Sequence, residues 1–137
     1  MTAFVLDASI ALCWAFADEE HPVAAAALDR LVTGEAQVPS IWWFEVRNSL
    51  VANERRGRLD EADTAAFLRN LARLAIHVDR EPTEISLLSL ARQYRLSVYD
   101  AAYLELAQRE GLMLATLDAA LRQAAATVGV PLLAGAA

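Results

Sequence analysis

The chain has 137 residues, 56% of them hydrophobic and 22% charged, with a net charge of -6. That length and apolar content predict one compact domain over residues 1–137 with a substantial core, and argue against a second. The acidic balance excludes a protein that holds nucleic acid by bulk electrostatics, because such binding needs a broadly basic surface.

Residues 2–6 read as a first strand that stops at Asp7. The opening segment carries no basic leader and its apolar stretch is too short for a signal-peptide core, so the chain is expected in the cytoplasm. No run approaches the ~20 apolar residues of a membrane span, and no membrane association is expected. Helices are predicted over 8–17 and 21–33, separated by an acidic turn, with Pro22 suited to a first helical turn. Cys13, in an apolar segment, reads as a buried thiol and not a nucleophile.

Gly34 ends the second helix, and a short strand over 36–38 leads through Pro39 and a capping Ser40 into a long helix ending near Gly57. Asp60 caps a helix to about Arg73, AIHV is a third strand, and Glu81 and Pro82 open a helix over 81–94. Ser97 begins a helix to Gln108, Gly111 ends it, and MLAT is a fourth strand. Asp118 caps a helix to Thr127, and Gly129 and Pro131 lead into a brief last strand, VPLL. The alternation of strands and helices predicts an α/β domain with a mainly parallel sheet of about four or five strands.

Four acids stand at or beside the ends of apolar runs: Asp7 after AFVL, Glu45 after IWWF, Asp100 in SVYDAAYLELA and Asp118 in MLATLDAAL. Ligands of a parallel sheet bind beyond the carboxyl ends of its strands. Asp7 and Asp118 follow strands directly, while Glu45 and Asp100 arrive from early turns of helices. Gathered, half-buried carboxylates are costly without a positive companion. Oxygen-only ligands select Mg2+ or Mn2+, which can activate water against a phosphodiester, so a metal-dependent nuclease is expected.

Simpler roles compete with that one. Asp7 with Ser9, and Asp118 with Thr116, fit plain helix caps, and Ser97 with Asp100 fits a capping box. Glu45 is harder to explain away, because with Asn48, Ser49 and Ala52 it forms a polar and small stripe on a helix otherwise apolar around Trp43, Val46 and Leu50. His21 and His77 lack partners at zinc-ligand spacing. All the basic residues are Arg; Arg47, Arg55, Arg56 and Arg58 read as a solvated helix end, although arginine also suits phosphate. The lack of lysine excludes an ordinary Walker A loop.

Taken in order, VLDASIAL, WWFEVRNSL, YDAAYLELA and ATLDAAL resemble the PIN-domain ribonucleases, in particular the VapC-type toxins of toxin–antitoxin pairs, over nearly the whole chain. The resemblance implies a three-layer α/β/α sandwich with the first strand central. Asp7, Glu45 and Asp100 match the principal acidic positions and Asp118 the more variable fourth, with Ser9 and Thr116 at supporting hydroxyl positions and Asn48 as a further supporting residue. It also implies Mg2+, or Mn2+ in its place, and cleavage of RNA, commonly tRNA or rRNA, by metal-activated water. The expected partners are a second copy in a homodimer and a VapB-type antitoxin, whose C-terminal segment would lie in an apolar groove that the aromatic run 42–44 could wall. Two other functions compete: a PIN-like binding module with an inactive or structural metal site, and a housekeeping nuclease for RNA processing or DNA flaps. The presence of all four acids speaks against the first, and the small size against the second.

Overall fold

The computed structural model describes residues 3–135, so Thr2, expected in the first strand, lies outside them. Strands β1 (Phe4–Leu6), β2 (Ala36–Pro39), β3 (Ile76–Asp79) and β4 (Met113–Ala115) form one parallel sheet in the order β3-β2-β1-β4. Strand β1 is central, as expected. Its Phe4, Val5 and Leu6 are wholly buried, which is why the run holds no polar residue until Asp7 ends it.

Among the described residues, seven α-helices surround the sheet: α1 (Ala8–Cys13), α2 (Pro22–Arg30), α3 (Ile41–Arg55), α4 (Glu61–Leu71), α5 (Glu84–Tyr94), α6 (Val98–Glu110) and α7 (Ala119–Val128). Helix α1 packs on α2 and α3, while α6 packs on α5, α7, β1, β2 and β4. Two helical groups thus enclose the sheet in the expected α/β/α sandwich. Helix α6 lies deepest, with Ala101, Tyr103, Leu104, Leu106 and Ala107 all buried. Among the described residues, no helix is long and apolar enough to cross a membrane.

Several boundaries differ from the expected ones. The first helix stops at Cys13, and only a 3-10 turn over Ala17–Glu19 follows, because the chain reverses at Trp14 and sends Phe16 into the core. Trp14 Nε1 secures the reversal on Ala24 O at 2.9 Å. Helix α2 ends at Arg30, where the Gly34 N–H closes onto Arg30 O at 2.8 Å. Ser40 has helical dihedrals and makes no side-chain cap, so it is not the cap it was expected to be.

Helix α5 begins at Glu84 and not near Glu81, since Pro82 precedes it and the Thr83 N–H is taken by Glu105 Oε2 at 3.2 Å. The last strand is reduced to a bridge between Leu114 and Leu132. On α3 the apolar stripe is Trp42, Val46 and Leu50, with Trp43 turned outward and 45% exposed. The spacing of Trp43 to Val46 and Leu50 suits a helix equally well, so periodicity alone selects the wrong tryptophan.

Candidate functional site

The chain leaves β1 for β2 on one side and returns as β4 on the other, so the sheet's switch point lies between the carboxyl ends of β1 and β4. Asp7 stands there, 6% exposed, its N–H bonded to Ala115 O at 3.0 Å. Ser9 Oγ and Thr116 Oγ1 each donate to Asp7 Oδ2 at 2.6 Å. Each hydroxyl accepts a backbone N–H in turn, Ser9 from Leu117 at 3.0 Å and Thr116 from Asp118 at 3.1 Å. The loop after β4 therefore fixes the carboxylate that follows β1. Asp7 occupies the cap position of α1 without capping it by its side chain, so the simpler role does not account for it.

Glu45 is half-buried in the second turn of α3, where the Tyr103 hydroxyl of α6 donates to its Oε1. Asp100 lies in the first turn of α6, its N–H held by Ser97 Oγ at 3.0 Å. Asp118 does cap α7, its Oδ2 accepting the Leu121 N–H at 2.9 Å, and its residue is exposed. Asn48 is exposed beside Glu45 on the wall of a neighbouring groove.

Burial raises the carboxyl pKa of Asp7, Glu45 and Asp100 above the ordinary range. Their neighbours' charges add to it: Asp118 acts on Asp7 and Asp100, and both Asp7 and Asp100 act on Glu45. Hydrogen bonds from Ser9, Thr116, Tyr103 and Ser97 oppose these shifts, and no basic side chain is among the charges acting on the three groups. The four acids thus share one electrostatic neighbourhood.

Among the described residues, no three acidic, histidine or cysteine side chains stand close enough to enclose a metal ion unaided. The carboxylates share a neighbourhood but do not form a closed cage among the described residues. Mg2+ keeps several waters and takes only one or two carboxylates directly, so an ion held there would rely largely on water. The donor set is oxygen alone, again the preference of a hard cation.

The arginines expected at a solvated helix end divide. Arg58 bonds Asp18 at 3.1 Å, Glu19 at 2.9 Å and the buried Asn53 at 3.0 Å, and lies over the Phe16 ring. Arg47 lies over the Trp43 ring and, with Arg55, Phe44 and Tyr99, lines the groove beside Glu45. Phe44 and Tyr99 are largely exposed, but Trp42 is in the core, so the run 42–44 does not wall a groove as a unit. Cys13 is only half-buried; burial pushes its thiol pKa up, as suits an inert side chain.

Tyr103 is absent from the sequence reading of the site. A tyrosine in a buried helical stripe reads as core. The usable signal was its place three residues beyond Asp100, which sets both side chains on one side of α6.

The PIN domain sequence profile matches residues 4–127. No curated protein matches the chain by sequence. The crystal structure of PAE2754 from Pyrobaculum aerophilum is similar at 24% identity and a TM-score of 0.68, covering 89% of this chain and 86% of that one. A chain of a toxin–antitoxin complex from Klebsiella pneumoniae is similar at 18% identity and a TM-score of 0.52, covering 81% of this chain and 82% of that one. Likeness at these identities establishes the fold.

Proposed function

The chain belongs to the PIN-domain family, and on that premise we propose that it is a Mg2+- or Mn2+-dependent endoribonuclease acting as the toxin of a toxin–antitoxin pair. The observation that carries this reading is the acid quartet at the switch point, in which burial and mutual repulsion raise three carboxyl pKa values with no cation to offset them.

Asp7, Glu45 and Asp100 are the proposed metal ligands, and Asp118 completes the site or orients the attacking water. A divalent ion bound there would supply Lewis acidity toward the phosphodiester and a water of lowered pKa. Ser9 and Thr116 fix the orientation of the Asp7 carboxylate by holding its Oδ2. Asp118 has one oxygen engaged by Leu121 and is exposed, so its other oxygen can hold a water at the entrance. Arg47 and Arg55 offer phosphate contacts, and the exposed rings of Phe44 and Tyr99 can stack on unpaired bases. Asn48, on the same wall, supports that path.

The toxin assignment is supported by the Klebsiella pneumoniae chain, which comes from a toxin–antitoxin complex. It brings with it a VapB-type antitoxin, a homodimer and a cytoplasmic setting. The groove beside Glu45 is the proposed seat of the antitoxin, with Phe44 and Tyr99 in place of the buried Trp42.

The test is to incubate antitoxin-free protein with total cellular RNA and Mg2+ or Mn2+ and to sequence the new ends. Discrete ends are expected, and they should vanish with a chelator and in Asp100→Asn. Folded protein that leaves RNA intact would overturn the nuclease in favour of a binding module.

A further inference from the structure

A second cavity adjoins the groove beside Glu45 and shares Ile41, Phe44 and Tyr99 with it. Phe44 directly precedes Glu45 and Tyr99 directly precedes Asp100, so the two rings that border both spaces are chain neighbours of two site acids. The cavity measures about 240 Å3 and is walled further by Pro82 and Leu87. That is many times the ~30 Å3 of one water and short of the ~300 Å3 at which pockets for drug-sized ligands begin, the scale of a single flat ring system.

Its polar side chains are the hydroxyls of Ser40 and Tyr99 and the carboxylates of Asp79 and Glu105, and none of them carries an N–H. Arg109, which holds both carboxylates, has no donor left to offer. Its Nε donates to Glu105, its Nη2 to Glu105 and Asp79, and its Nη1 to Asp79 and Glu110, which spends all five of its N–H groups. Glu105 takes the Thr83 N–H as well. Asp79 is less occupied: it accepts one bond on each oxygen, at 3.3 and 2.7 Å, and a carboxylate oxygen has room for a second. The cavity therefore combines aromatic walls with a pair of available acceptors.

We propose that this cavity is a base pocket for one unpaired guanine of the RNA, with Asp79 as the residue that sets the choice. This rests on the RNA-cleaving reading above. Guanine alone among the four bases carries two N–H donors side by side, at N1 and N2, and so matches both oxygens of one carboxylate. Adenine and cytosine set a ring-nitrogen acceptor beside their amino group, and uracil flanks its N3–H with carbonyls, so each would turn an acceptor toward a carboxylate oxygen. Unpaired bases are read in this way, by stacking on aromatic side chains and by bonds to the Watson–Crick edge. Arg47 and Arg55, in the adjoining groove, can take the neighbouring phosphates.

The test is fluorescence anisotropy of the whole protein with short labelled oligouridines carrying one central guanosine, inosine, adenosine or cytidine, with a chelator present to prevent cleavage. The guanosine oligomer should bind about tenfold more tightly than the adenosine and cytidine ones, within the range for one bidentate base contact. Inosine, which lacks only the 2-amino group, should lose most of that preference in the unaltered protein. Asp79→Asn, its folding checked by thermal melts, should bring guanosine down to the level of adenosine, because an amide presents one acceptor where two are needed. A guanine preference that survives in folded Asp79→Asn would overturn the role of Asp79. Equal binding of all four oligomers, or inosine as tight as guanosine, would overturn the pocket and leave the nuclease reading standing. Binding of none, both in chelator and in Asp100→Asn protein with Mg2+, would overturn the two together.

Discussion

The two ends of helix α6 carry acids in opposite surroundings. Near its start, Asp100 joins Asp7, Glu45 and Asp118, where only hydroxyl and amide donors meet the carboxylates. Farther along, Glu105 is 2% exposed and wholly matched: Arg109 bonds both its oxygens at 2.8 and 3.0 Å, and Thr83 N–H adds a third bond. Arg109 also reaches Asp79 at 2.7 Å, and these carboxylates raise the guanidinium pKa. Hydroxyls aim a carboxylate without cancelling its charge, whereas a guanidinium does both. An acid that serves only the fold is given its counter-charge by the fold, and on the proposed reading the quartet waits for one from solution.

The strongest way to test that contrast is to remove the counter-charge. Arg109→Met leaves Glu105 buried and unpaired and should cost about 3 kcal/mol in urea unfolding. Divalent-ion binding at the other end should be unchanged in protein that remains folded. A loss within the error of the measurement would show that the pair is not what steadies this end of α6.

Next in size is a pH effect at the acid quartet. Folded Asp7, Glu45 and Asp100 hold protons more tightly than they do in the unfolded chain. Metal-free protein should therefore gain stability as pH falls from neutral toward the ordinary carboxylate range near about 4, and lose it again as pH rises through the elevated values. A melting temperature about 3 °C higher near pH 5 than near pH 8 is expected with a chelator present. Asp7→Asn should raise the melting temperature at the higher pH and shrink that difference; an unshrunken difference would place its origin elsewhere.

The smallest expected effect separates two duties of one residue. Asp118→Ala should cost about 1 kcal/mol through loss of the α7 cap, while Asp118→Asn keeps the cap and should change stability by less than about 0.5 kcal/mol. Both should slow the proposed RNA cleavage. Full cleavage by Asp118→Asn would reduce Asp118 to a cap alone.

Much of the fold was legible because its signals are local and repeated. The buried run of β1, the capping Asp60, and Gly111 and Gly129 at helix ends, both with positive φ, each leave a mark within a few residues. What escaped depends on contacts distant in sequence. The early end of α1 follows from Trp14 finding Ala24, and the late start of α5 from Thr83 finding Glu105. At the site, the four acids were visible as punctuation of apolar runs, but Tyr103 was not, because its meaning lies in Glu45 on another helix.

The pairing of Asp7 with Thr116 spans nearly the whole chain. The central strand is made well before its neighbour β4 and the hydroxyl that holds its carboxylate. A ribosome that has passed β1 but not β4 has made only half of the proposed site, so an activity housed there would stay silent until β4 has followed.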